Sequence, residues 1–139
     1  MCMAKTALVV DDVAFARKMI VEILISAKYS VLAEASNGAE AIALYKKYKP
    51  DFVTMDVVMP KLTGIEATRR ILDEDKEAKI IMISALGHEQ ILIEAVNAGV
   101  RDFIIKPFSP EDLIMAVEKA LAISEEDSAS RHGAAYGNV

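Results

Sequence analysis

The sequence predicts a doubly wound α/β fold: an open, five-stranded parallel sheet with helices on both faces. Three observations predict it. Short apolar runs recur at fairly even intervals, and the longer segments between them carry apolar residues at helical spacing. The runs are also apolar at nearly every position instead of at alternate ones, which marks strands covered on both faces. Five β/α units are too few to close an eight-stranded barrel, so the sheet stays open.

The elements follow in order. "TALVV" at 6–10 is the first strand, and the helix after it has Phe15, Met19 and Ile23 at four-residue spacing. "SVLAEA" at 30–35 is the second strand. Asn37 caps the next helix, with Glu40 at the third position of a capping box and Ala41, Ile42 and Tyr45 on its apolar stripe. "FVTM" at 52–55 is the third strand, and Met59, Pro60 and Gly64 mark a loop leading into a helix. "IIMIS" at 80–84 is the fourth, with His88 a surface residue near the start of the fourth helix, and "FII" at 103–105 is the fifth. In "SPED" at 109–112, Ser109 is the N-cap, Pro110 the first helical residue, and Asp112 lies near the positive helix end. After Ile123 the apolar periodicity stops. Residues 1–123 therefore read as one domain and 124–139 as a polar, flexible C-terminal tail.

Composition narrows the functional classes. A chain of 139 residues, 53% apolar, suffices for one core. A net charge of −5 without Lys/Arg clusters argues against a nucleic-acid-binding face, because phosphate contacts need a concentrated positive footprint. No apolar stretch approaches bilayer length and the N-terminus lacks a signal-like apolar segment, so no membrane insertion and a cytoplasmic location are expected. The single cysteine, Cys2, has no intramolecular partner, and neither His88 nor His132 has metal-ligand spacing. The methionines read mostly as core gap-fillers.

Open parallel sheets bind ligands outside the carboxyl ends of their strands. Those ends carry Asp11 and Asp12 after the first strand, Asp56 after the third, Ser84 on the fourth and Lys106 after the fifth; the second strand offers nothing comparable. Taken singly, Asp11 fits a helix cap, Ser84 a small strand-end residue and Lys106 a surface lysine, while Asp51, Asp73 and Asp75 read as solvated charges. Together on one rim, three carboxylates repel one another and call for a cation. Few hard oxygen ligands with open positions suit Mg²⁺, with Mn²⁺ as a substitute. A carboxylate can attack phosphorus when positive charge steadies the equatorial oxygens, and Asp56, alone on the central strand, is the better nucleophile.

The set "VVDDVAFAR", "DFVTMDVVMPKLTG", "IIMISA" and "DFIIKPF", in that order, resembles the receiver domains of two-component response regulators over about residues 5–123. The resemblance implies the CheY-like, flavodoxin-like (βα)5 arrangement. It implies Asp56 as phosphoacceptor, Asp12 as direct Mg²⁺ ligand, Asp11 acting largely through water, and the Val58 backbone carbonyl as a further ligand. Ser84 would be the switch hydroxyl, Lys106 a partner of a phosphoryl oxygen, Phe103 the aromatic switch, and Pro107 the residue after a cis peptide. The expected function is that of a stand-alone regulator, phosphorylated by a histidine kinase and binding an effector through the surface of the fourth helix, fifth strand and fifth helix. It is expected to be a switch with autocatalytic chemistry more than an enzyme, monomeric until activation allows dimerisation. Chemotaxis is the first pathway expected, with a phosphorelay intermediate or a receiver fragment of a DNA-binding regulator as alternatives. An Mg²⁺-dependent aspartyl-phosphate phosphatase is disfavoured, since its general acid would stand at Val58. Val58, Leu86 and Phe103 depart from fast-cycling, motor-binding relatives: Val58 offers no group to orient water, and Phe103 lacks a hydroxyl.

Overall fold

The computed structural model describes residues 4–122. Five strands, β1 (Thr6–Val10), β2 (Ser30–Ala35), β3 (Phe52–Asp56), β4 (Ile80–Ser84) and β5 (Asp102–Ile105), alternate with five helices. The helices are α1 (Ala14–Ser26), α2 (Gly38–Tyr48), α3 (Gly64–Glu74), α4 (Glu89–Ala98) and α5 (Pro110–Ala122). All strand pairs are parallel, in the order β2-β1-β3-β4-β5. The order reverses between β1 and β3, so the crevice of this fold opens above those two strands. The predicted tail and Cys2 lie outside the described residues.

β3 and β4 are buried at every position, as the apolar runs required. α1 and α5 cover one face, where Ile20, Leu24, Leu113 and Val117 pack on Val9, Phe52 and Ile83. α2, α3 and α4 cover the other, with Tyr45, Ile65, Ile71 and Ala95 over Val10, Met55 and Met82. Among the described residues no helix is long and apolar enough to cross a membrane.

Several details depart from the pattern read in the sequence. The stripe of α1 that packs inward is Ile20 and Leu24, one residue on from Met19 and Ile23; Phe15 is 73% exposed and Met19 46%. Of the methionines, Met55, Met59 and Met82 fill the core, but Met115 joins Met19 on the surface. The Asn37 side chain caps α2 by accepting from the Glu40 amide, whereas Glu40 reaches back past Asn37 to the Ser36 amide and hydroxyl. The Ser109–Asp112 box closes reciprocally. Two aspartates expected to be merely solvated are structural. Asp51 Oδ2 accepts from the Thr6 amide and hydroxyl, and Asp75 Oδ2 from the Tyr45 hydroxyl at 2.7 Å. Among the described residues the Asp73 side chain makes no hydrogen bond or ion pair.

Candidate functional site

Register brings the carboxylates together. Val10 pairs with Met55, so the next residues in step are Asp11 and Asp56, on either side of the switch point. One oxygen from each of Asp11, Asp12 and Asp56 lies within 4.8 Å of the others. Asp11 and Asp56 are buried, and Asp12 stands at the solvent side.

Asp11 is the most constrained of the three. Its amide donates to the Ala35 carbonyl, extending the β1–β2 ladder one step beyond the strand. Its Oδ1 accepts from the Val13 amide and its Oδ2 from Lys106 Nζ, at 2.9 and 3.0 Å. Asp11 therefore turns the chain into α1 without capping it: the N-cap is Val13, which has no side-chain acceptor.

Lys106 follows β5 and its amide donates to the Ser84 carbonyl. The Lys106–Pro107 peptide is cis. The ammonium stands 3.8 Å from Asp56 Oδ1 as well as 3.0 Å from Asp11 Oδ2. Burial and the neighbouring Asp11 charge push the Asp56 carboxyl up to about 7; Lys106 opposes the rise and Asp12 adds to it. Three carboxylates faced by one ammonium leave two negative charges when all are ionised. That deficit, in an all-oxygen pocket with one exposed ligand, fits a hard divalent cation.

Ser84 is buried, and its Oγ accepts from the Leu86 amide at 3.0 Å. Its level on the rim follows from β4, where Ile83 pairs with Asp56. Val58 lies in the loop after β3 and is 56% exposed. The loop returns at Gly64, whose amide donates to the Val57 carbonyl; a Cβ at Gly64 would overlap the Asp56 carbonyl oxygen. Phe103 is half-buried on β5 and lines a groove of about 610 Å³ with Leu92, Ile93 and Val96 of α4. The rim thus gathers Asp11, Asp12, Asp56, Ser84 and Lys106, while Phe103 sits apart.

Reading the strand ends did not single out Arg17. Its Nη1 donates to the Asp11 carbonyl at 2.9 Å and its Nε pairs with Glu34 at 3.0 Å. The available signal was its position on the first turn of the helix leaving the Asp11–Asp12 pair.

Comparison with known proteins agrees with this geometry. Residues 7–118 match the response regulator receiver domain family. This chain belongs to the response regulator receiver family. A chemotaxis protein CheY from Thermotoga maritima is 49% identical over 117 residues, covering 84% of this chain and 98% of the relative. One from Bacillus subtilis is 47% identical over 119 residues, covering 86% and 99%. Among solved structures, a chain of the CheX–CheY–BeF3–Mg complex from Borrelia burgdorferi superposes with a TM-score of 0.79 at 36% identity, covering 81% of this receiver and 86% of that chain. The open, five-stranded parallel sheet with helices on both faces is the receiver fold expected from the sequence.

Proposed function

We propose that this receiver takes a phosphoryl group from a histidine kinase onto Asp56 and that the phosphorylated form binds an effector protein. The observation that carries the reading is the Lys106 ammonium placed between Asp11 and Asp56, on a rim that also carries the Asp12 carboxylate and the Ser84 hydroxyl. In the transfer, the Asp56 carboxylate oxygen forms the new O–P bond as the P–N bond to the kinase imidazole breaks, and the electron pair leaves with that nitrogen, which takes up a proton. Asp11, Asp12, Asp56 and the Val58 carbonyl would hold Mg²⁺, or Mn²⁺ in its place. The bound ion supplies positive charge to the equatorial oxygens. Lys106 supplies the fixed cation of the protein, and burial of Asp56 strengthens their interaction.

Switching follows from the same contacts. Ser84 Oγ accepts from the Leu86 amide here; donating its hydroxyl hydrogen to a phosphoryl oxygen would draw the segment after β4 toward Asp56. Phe103, on the neighbouring strand, would respond by turning inward, remodelling the surface of α4, β5 and α5 on which the effector docks. Phosphorylation then acts as a population shift between two conformations. The CheY relatives at 44–49% identity support chemotaxis as the pathway and a cytoplasmic setting. The unphosphorylated form is read as a monomer, with dimerisation open to the activated form.

Beryllofluoride with Mg²⁺ mimics an aspartyl phosphate and provides the test. Amide resonances of Ser84, Phe103 and Lys106 should shift in the wild type and stay unmoved in Asp56→Asn. Shifts confined to Asp11 and Asp12 would leave a metal site without a switch and contradict the reading.

A further inference from the structure

Arg17 sits on the first turn of α1, side chain 22% exposed, and makes two contacts through different nitrogens. Nη1 donates to the backbone carbonyl of Asp11, and Nε to the Glu34 carboxylate on β2. The guanidinium thereby joins three elements: the helix that carries it, the end of β1 and the edge strand. The planar fork serves the two acceptors from separate nitrogens, Nε and Nη1, whose donors are fixed in direction, a geometry that the one nitrogen of a lysine does not offer. The Asp11 amide, in the preceding peptide unit, donates to the Ala35 carbonyl. With its carbonyl held by Arg17, Asp11 places its carboxylate on the Val13 amide and the Lys106 ammonium, and Asp12 follows directly on the peptide that Arg17 holds.

We propose that Arg17 is a positioning residue for the metal-binding carboxylates, orienting the Asp11–Asp12 peptide through its clamp between Asp11 and Glu34. The proposal rests on the reading of the acidic cluster as an Mg²⁺ site. It gives β2, which contributes no ligand, a part in the site as the anchor of the clamp. It also makes a prediction of unusual sign. Arg17 is a cation beside a cation site, so by charge alone its removal should tighten Mg²⁺ binding. If it works by positioning, removal should weaken binding. Groups that orient metal ligands typically contribute 10–100-fold in affinity, and the partial exposure of Arg17 places it near the lower figure, about 10-fold.

Calorimetric titration of the full chain with MgCl₂, before any phosphodonor is added, separates the cases. Arg17→Gln should bind about 10-fold more weakly than the wild type. Arg17→Lys, which keeps the charge but lacks the planar fork that gives each acceptor its own nitrogen, should also bind more weakly. In the metal-free protein, hydrogen exchange at the Asp12 and Val13 amides should quicken in Arg17→Gln while core amides of β3 stay protected. Wild-type binding with equal or tighter binding by Arg17→Gln would overturn the role of Arg17 and leave the metal site standing. No binding by the wild type would overturn the site itself. Should Arg17→Gln fail to fold, Arg17→Lys carries the decision: weaker binding supports the clamp, and unchanged binding overturns it.

Discussion

Lys106 Nζ bridges Asp11 Oδ2 at 3.0 Å and Asp56 Oδ1 at 3.8 Å, so one ammonium, carried beyond β5, compensates two buried carboxylates, one just past β1 and one at the end of β3. The relationship sets two opposite expectations. Lys106→Gln removes a fixed donor to the transferring group and should slow phosphorylation by acetyl phosphate about 100-fold. It also removes a competing cation, so Mg²⁺ should bind more tightly. Phosphorylation kinetics and a calorimetric titration on the same variant check both; slower transfer with weaker Mg²⁺ binding would point to a collapsed site instead.

Asp56 gives the site its pH dependence. Its folded-state carboxyl, at about 7, lies above the ordinary range for an unfolded aspartate, about 3.9. Between those values the folded state binds more protons than the unfolded one, so this group lowers stability as pH rises. The metal-free protein should therefore lose stability from about pH 4 to pH 7, and Asp56→Asn should flatten that part of the profile. Mg²⁺ needs the ionised form, so its affinity should climb over the same window, with proton release on binding. Urea melts at a series of pH values, with and without chelator, read both effects.

Gly64 is predicted to be intolerant. α3 begins against the Asp56 backbone, where a Cβ would overlap the carbonyl oxygen. Gly64→Ala must shift either the helix start or the phosphoacceptor, which should cost about 1–3 kcal/mol in a denaturant melt and slow phosphorylation. An unchanged midpoint with normal phosphorylation would show that the loop yields freely.

Val58 bears on phosphate lifetime. Its exposed aliphatic side chain, two residues past Asp56, has nothing to orient an attacking water. Val58→Asn should shorten the aspartyl-phosphate half-life several-fold, measured by loss of phosphorylated mass after removal of the donor. Decay at the wild-type rate would sink the idea.

Much of this protein was legible in its sequence because the information is local. β3 and β4 are apolar throughout, since a doubly covered strand has no solvent face to alternate with. The rim could be assembled from strand ends because parallel strands all deliver their carboxyl ends to one edge. What stayed hidden depends on packing in three dimensions. Met19 and Ile23 recur at helical spacing just as Ile20 and Leu24 do, and periodicity alone does not say which of two adjoining stripes meets the sheet. Asp51 and Asp75 looked solvated because their partners, Thr6 and Tyr45, lie 45 and 30 residues away. Arg17 and Glu34 meet across 17 residues for the same reason.

The central claim is that Asp56 accepts a phosphoryl group with the help of a metal held by Asp11 and Asp12. Intact mass after incubation with acetyl phosphate and Mg²⁺ tests it most directly, using the wild type, Asp56→Asn, and the wild type with chelator. The expected result is a gain of one phosphoryl group in the wild type alone. No gain in a wild type shown to be folded by circular dichroism, or an equal gain in Asp56→Asn, would contradict it.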